Sequence, residues 1–183
     1  LNVNEINGGS IEVSCAIKNS NHRVNKKKIL KFLNYESKIT NNVYKNFQKR
    51  VIQNKKELIN FLNKDNSKKI IGYESSTKEN VILNYCKINE TSIKYICDEN
   101  QKKHGKFTPG SKIKIISKKK MREIKPDYLL VLIWSFRKEV IKQEQDFINK
   151  GGKLIFPLPK FHVVDKYNFK SYQKKSLNTI SKN

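Results

Sequence analysis

The sequence predicts an α/β fold: a mostly parallel sheet flanked by helices, preceded by a lone strand and a helical connector. Three observations carry that prediction. A short apolar run at 69–73 turns at Gly72 and leads into apolar residues at helical spacing, Val81, Ile82, Leu83, Tyr85 and Cys86. A longer run, Pro126 to Trp134, is followed by a helical pattern from Arg137 to Asn149 that the pair Gly151-Gly152 stops. Strand patterns alternating with helix patterns build parallel sheets, because each crossover covers one face.

In chain order, Gly8-Gly9 opens an alternating strand with Ile11, Val13, Cys15 and Ile17 on one face. Alone it cannot bury that face, so it is expected to pair with a sheet upstream of this sequence. Residues 18–24 are polar and read as a loop. From 25 to 63 the spacing is helical and breaks at Thr40-Asn41-Asn42, giving two helices, the second long. Ser75, Ser76 and Thr77 can cap the helix that follows Gly72, and an anion could also be held there. Residues 92–98 read as a second strand ending in Asp98, and 112–116 as a third. Pro126 to Trp134 is the fourth. Residues 153–159 are the fifth, ended or confined to an edge by Pro157 and Pro159. From Lys166 onward the chain reads as a polar, loosely ordered tail.

Composition narrows the class. The 183 residues suit one domain, or one domain with an appendage, and can bury a core. No apolar stretch reaches the roughly 18 residues that span a bilayer, and no leader pattern opens the chain. The net charge of +23 has two readings, a nucleic-acid partner or compositional drift toward lysine. Only Arg23, Arg50, Arg122 and Arg137 are arginine, whereas base-reading proteins favour its bidentate fork. The lysines are scattered, so drift is preferred and neither nucleic acid nor membrane is expected as a partner. Cys15, Cys86 and Cys97 lack paired metal spacing. Cys15 and Cys86 read as small core residues, the compartment as reducing and the location as cytoplasmic.

Ligands of such sheets bind at the carboxyl ends of the strands, here 72–78, 98–106 and 134–137. A dinucleotide fingerprint needs glycines, and this turn has Glu74 and Glu79 after Gly72, which repel a diphosphate. His104, between Lys103 and Lys106, reads either as a phosphate or hydroxyl contact or as a solvent-exposed loop histidine. Lys78 reads as an anion contact or an exposed first-turn lysine. Asp98 reads as a ribose-binding acid or, preferably, a turn cap. Tyr73 and Trp134 suit core or interface packing better than stacking. His22 and His162 read as surface residues.

The stretch Ile71-Gly72-Tyr73-x-Ser75-x-x-Lys78-x-Asn80-x-x-Leu83-Asn84-Tyr85-Cys86 resembles the C-terminal domain of the SAM-dependent C-methyltransferases that act on nucleotide-linked sugars. Asn7-Gly8-Gly9-Ser10-Ile11, His104-Gly105-Lys106-Phe107-Thr108-Pro109-Gly110, Pro126-Asp127-Tyr128-Leu129-Leu130 with Trp134, and the run from Gly151 to Pro157 resemble it in the same order. The resemblance implies a larger parent with an N-terminal zinc module, a central SAM-binding domain and this Rossmann-like domain, which closes over a sugar nucleotide. An enolate carbon of the substrate then attacks the SAM methyl. On that reading 1–18 end the SAM domain, 19–66 connect, 67–165 form the C-terminal domain and 166–183 are the tail.

The implied contacts are Lys78, Asn80, His104, Lys106 and Tyr73 for substrate, with none in this chain for SAM or zinc. Asn7 stands where relatives often carry a histidine base. An amide orients substrate or stabilises an enolate oxygen but cannot take the proton. Glu74 and Glu79 replace two turn glycines, which disfavours phosphate there. The expected partners are a nucleotide sugar, the SAM-binding domain and, as an open possibility, a second copy of the chain. The fragment itself is expected to be catalytically silent. Two alternatives remain: a non-catalytic module that binds a nucleotide sugar or a subunit, and a basic nucleic-acid-binding domain.

Overall fold

A computed structural model describes residues 1–4, 9–65 and 67–182. Asn7 and Gly8 lie outside the described residues. The chain forms two compact units, 1–51 and 52–183.

In the first unit, β1 (Asn2–Asn4) pairs antiparallel with β2 (Ser10–Glu12), with Val3 opposite Ile11. Helix α1 (Lys26–Glu36) starts where the Asn25 side chain accepts the Lys28 N–H. It buries no residue. The expected strand through Ile17 is corrected: it ends at Glu12, and its partner is local. Alternation supplied an apolar face, but Ile11, Val13 and Ile17 stay exposed within this unit. Cys15 is exposed rather than core.

Helix α2 (Asn41–Lys64) crosses the division, and its second half carries Leu58 and Leu62 into the core of the second unit. That unit is built on a sheet from β3 (Ile70–Tyr73), β4 (Tyr95–Cys97), β5 (Lys114–Ile116), β6 (Tyr128–Val131), β7 (Lys153–Phe156) and β8 (His162–Val164). Among the described residues the strand order is β5-β4-β3-β6-β7-β8, parallel throughout except for β8. The mixed α/β architecture with a mostly parallel sheet is therefore as expected. Chain direction across the sheet reverses between β3 and β6, which makes their carboxyl ends the switch point where a crevice opens.

Alternation along the strands splits the core in two. Ile71, Leu129, Val131, Leu154 and Phe156 pack on one face with Met121, Val140, Ile141 and Ile148. Ile96, Leu130, Leu132 and Ile155 pack on the other with Leu58, Leu83, Cys86 and Ile88. The second face is covered by α3 (Thr77–Cys86) and α2, the first by α4 (Lys118–Ile124), α5 (Arg137–Gln143) and α6 (Gln145–Asn149).

Gly72 is not the turn. It lies inside β3 beside Ile96, and a Cβ there would sit 2.5 Å from Ile96 Cγ1. The turn falls two residues later, at Glu74, which holds φ 63°.

Two further expectations are corrected. The tail is helical, with α7 (Phe169–Lys174) and α8 (Leu177–Lys182), and Phe169 and Ile180 are buried. Two apolar residues spaced eleven apart in a lysine-rich stretch give no visible stripe, yet each finds a place in the fold. His162 is buried at 8% exposure, because β8 returns it to the sheet between Phe156 and Tyr172.

Candidate functional site

The site is built at the carboxyl ends of β3 and β4. After Tyr73 the chain passes through Glu74, whose N–H donates to the Cys97 carbonyl at 2.8 Å. Ser75 follows, buried, and donates its N–H to Asp98 Oδ2 at 3.1 Å. Lys103 Nζ closes the loop, donating at 2.6 Å to both Asp98 Oδ2 and the Ser75 carbonyl. Asp98 Oδ1 accepts the Asn100 N–H at 2.8 Å. Asp98 thus ties the β3 turn to the β4 loop. Both its oxygens are engaged inside the protein, so it performs the turn-capping role rather than meeting a ribose.

His104 is half-buried, with Nε2 2.8 Å from the Asp98 carbonyl oxygen. A carbonyl only accepts, so Nε2 carries the proton and Nδ1 is the free acceptor. Lys106 and Lys78 are exposed, on the β4–β5 connection and the first turn of α3 respectively. Asn80 donates from Nδ2 to the Ser76 carbonyl at 2.9 Å, and its own carbonyl accepts from Asn84 Nδ2. The structure therefore gathers His104, Lys103 and Asp98 into one hydrogen-bonded cluster. Lys78 and Lys106 stand outside it, and among the described residues neither forms an ion pair with it.

Tyr73 is fully buried, and its ring has no surface to offer a ligand. Its hydroxyl donates to Glu144 Oε1 at 2.9 Å and accepts from Lys118 Nζ at 2.8 Å. Burial pushes the phenol above its ordinary pKa, against the pull of Lys118. Lys118 also meets Glu99 and, at 3.4 Å, Glu74. Burial alone lowers the pKa of that ammonium, but the bonds to Glu99 and Tyr73 outweigh it and hold the group above its ordinary value. Burial raises the Glu74 carboxyl, with Lys118 opposing. Glu144 is buried and also pairs with Arg122.

This network under the crevice was not found from sequence. Lys118 belongs to a lysine run that reads as composition. The available signal was Ser117, which caps α4 by accepting the Lys120 N–H, followed by Met121 and Ile124 at helical spacing. Beyond β6, Trp134 is half-buried and Phe136 exposed in a short 3₁₀ turn, while Arg137 turns inward and is 1% exposed.

The acids at this end do not suit dinucleotides. Such ligands need glycine at the strand–helix turn and a free acid at the next strand end. Here Glu74 occupies the turn and Asp98 is already paired. Among the described residues, no group of three histidine, cysteine or acidic side chains is placed to hold a metal. No helix among them is long and apolar enough to cross a membrane.

Comparison with known proteins bears on the same residues. A family model described as the C-methyltransferase C-terminal domain matches residues 5–159. The C-methyltransferase NovU of Streptomyces niveus is 35% identical over 97 residues, 53% of this chain and 23% of that protein. The matched segment is therefore less than a quarter of that relative's length.

Proposed function

Because the chain belongs to the C-methyltransferase C-terminal domain family, we propose that it is the substrate-closing part of a SAM-dependent C-methyltransferase acting on a nucleotide-linked sugar or a related carbonyl compound. The observation that carries this division of labour is Asp98. The acid at the ribose-binding position of the sheet spends both oxygens on Ser75, Asn100 and Lys103, so the SAM site belongs to another domain. A zinc module belongs to the same proposal and draws no ligand from this chain.

Substrate then meets the loops at the carboxyl ends. His104 Nδ1 accepts a hydroxyl, and Lys106 and Lys78 bring positive charge to a diphosphate. Asn7 orients the carbonyl or its enolate. Unit 1 supports docking onto the SAM-binding domain: Leu30, Leu33, Val43, Tyr44 and Phe47 are all exposed. Exposed large apolar side chains in that number favour a protein cover. The assembled enzyme is a cytoplasmic one on this reading.

Calorimetric titration tests the proposal at near-physiological salt, with a nucleoside-diphosphate sugar, S-adenosylhomocysteine and a short DNA duplex. Binding of the sugar nucleotide without S-adenosylhomocysteine is expected. Binding of S-adenosylhomocysteine to this chain alone overturns the division of labour. DNA binding that persists in high salt overturns the enzymatic role, since nonspecific adhesion through lysine falls steeply with salt.

A further inference from the structure

At the head of α3 an acid stands without a partner. Glu79 is 6% exposed, and its Oε2 makes no hydrogen bond within the described protein. The next residue, Asn80, holds Oδ1 buried and equally unbonded. Both atoms accept hydrogen bonds. The chain carries 39 basic and 16 acidic residues, and the neighbouring acids have taken their cations: Asp98 has Lys103, and Glu74 and Glu99 share Lys118. Glu79 has none. Native proteins rarely leave a buried polar atom unsatisfied, and those left so call for an explanation.

Placement supplies one. Glu79 lies in the first turn of α3, which opens at the carboxyl end of β3, on the switch-point side of the sheet. It shares the buried face of α3 with Leu83 and Cys86. The capping role open to a glutamate three residues after Ser76 is not taken, because neither side chain makes a cap hydrogen bond.

We propose that Glu79 is the acceptor side of a subsite on the buried face of the head of α3 for a hydrogen-donating group of a ligand, a sugar hydroxyl or amino group, and that this subsite rejects phosphate, which is left to the exposed side chains of Lys78 and Lys106. An anion held at a helix start needs the free N–H groups to itself. A carboxyl placed there competes for those donors and repels the anion. A hydroxyl or ammonium gives the orphan Glu79 oxygen what it lacks. The assignment rests on the nucleotide-sugar reading for the identity of the whole ligand, and adds which part of it meets α3.

The test uses the 183-residue chain carrying ¹³C-labelled glutamate carboxyls, with Glu79→Gln both to assign the Glu79 signal and as the variant. The probes are uridine diphosphate glucose, D-glucose, D-glucosamine and inorganic phosphate. The sugars are expected to shift the Glu79 signal saturably, and phosphate to leave it still. A shift with glucosamine alone assigns the donor as an ammonium, and a shift with both free sugars as a hydroxyl.

Uridine diphosphate glucose is expected to bind Glu79→Gln about tenfold more weakly, the size of one hydrogen bond to a charged group. Equal affinity for both proteins overturns the subsite while leaving the nucleotide-sugar reading intact. A shift with free glucosamine but no binding of the sugar nucleotide does the reverse. A shift driven by phosphate, or by none of the probes, overturns the subsite outright. Thermal melting supplies a second readout. Glu79→Gln is expected to hold or raise the Tm, since it removes a buried unpaired carboxyl. A marked fall identifies Glu79 as a structural partner instead and overturns the proposal.

Discussion

The phenol of Tyr73 and the carboxyl of Glu144 meet at 2.9 Å, joining the end of β3 to the break between α5 and α6. Both side chains are buried. The sequence suggests one helix from 137 to 149, and the chain breaks at Glu144, where the side chain turns in toward Tyr73 and Arg122. Tyr73→Phe removes the donor and leaves Glu144 Oε1 short of a partner. The cost of one such buried bond is about 1–3 kcal/mol, expected as a lower midpoint in urea with an unchanged slope. Glu144→Gln is expected to cost more, because it also unpairs Arg122.

Glu74 carries strain that a glycine would not. At φ 63° a side chain pays about 1 kcal/mol relative to glycine. Burial also raises its carboxyl pKa. With the folded pKa above the unfolded one, the folded state binds more protons as pH falls, so the carboxylate is a liability at neutral pH. Glu74→Gly is therefore expected to stabilise the protein, most at pH 7 and less as pH drops into the carboxylate range. Lys118 keeps Glu99 and Tyr73 as partners in that variant. Parallel denaturation of the two proteins at pH 7 and pH 4.5 measures both parts.

The parallel sheet was legible because β3 and β6 are buried on both faces and so read as continuous apolar runs, Ile70-Ile71 and Leu129-Leu130-Val131-Leu132. The strands β1 and β8 were not, because β1 is mostly exposed and carries one apolar residue between two asparagines, and β8 opens on a histidine that reads as a surface residue. Helix α4 was hidden for a related reason: seven residues, four of them basic, bury only Met121. At the site, Asp98 as a turn cap was legible from its place at a strand end. The roles of Tyr73 and Glu79 were not, since residue type alone does not reveal which way a side chain turns or whether a partner reaches it.

The tail is expected to be structural. Arg137, fully buried, donates from Nη2 to the carbonyls of Tyr172 and Lys175 at the end of α7. Deleting residues 169–182 removes those acceptors and uncovers the core around Phe169. A buried guanidinium deprived of its partners costs about 3 kcal/mol or more. Arg137→Met in the truncated chain is expected to recover a large part of the loss, whereas in the full chain it destabilises. The four proteins form a double-mutant cycle, and additive effects would show that the tail and Arg137 act independently.

Acid sensitivity is expected to centre on His162. Its ring stacks between Phe156 and Tyr172, at 5.1 and 4.6 Å between centroids, and Nδ1 lies 2.7 Å from the Lys160 carbonyl. That carbonyl accepts, so Nδ1 holds the proton and the ring is neutral. Burial, aided by the charges of Arg137 and Lys175, lowers its pKa to about 4. In the unfolded chain the imidazole titrates at its ordinary value near 6.5, so between that pH and about 4 the unfolded state binds the extra proton. Stability at neutral pH is unaffected by this group, then falls as pH drops through the window, by up to about 3 kcal/mol before levelling off. His162→Phe keeps a ring in the stack and cannot titrate. Its stability is expected to decline less than that of the parent between pH 6.5 and 4, and identical pH profiles for the two proteins would rule His162 out as the source.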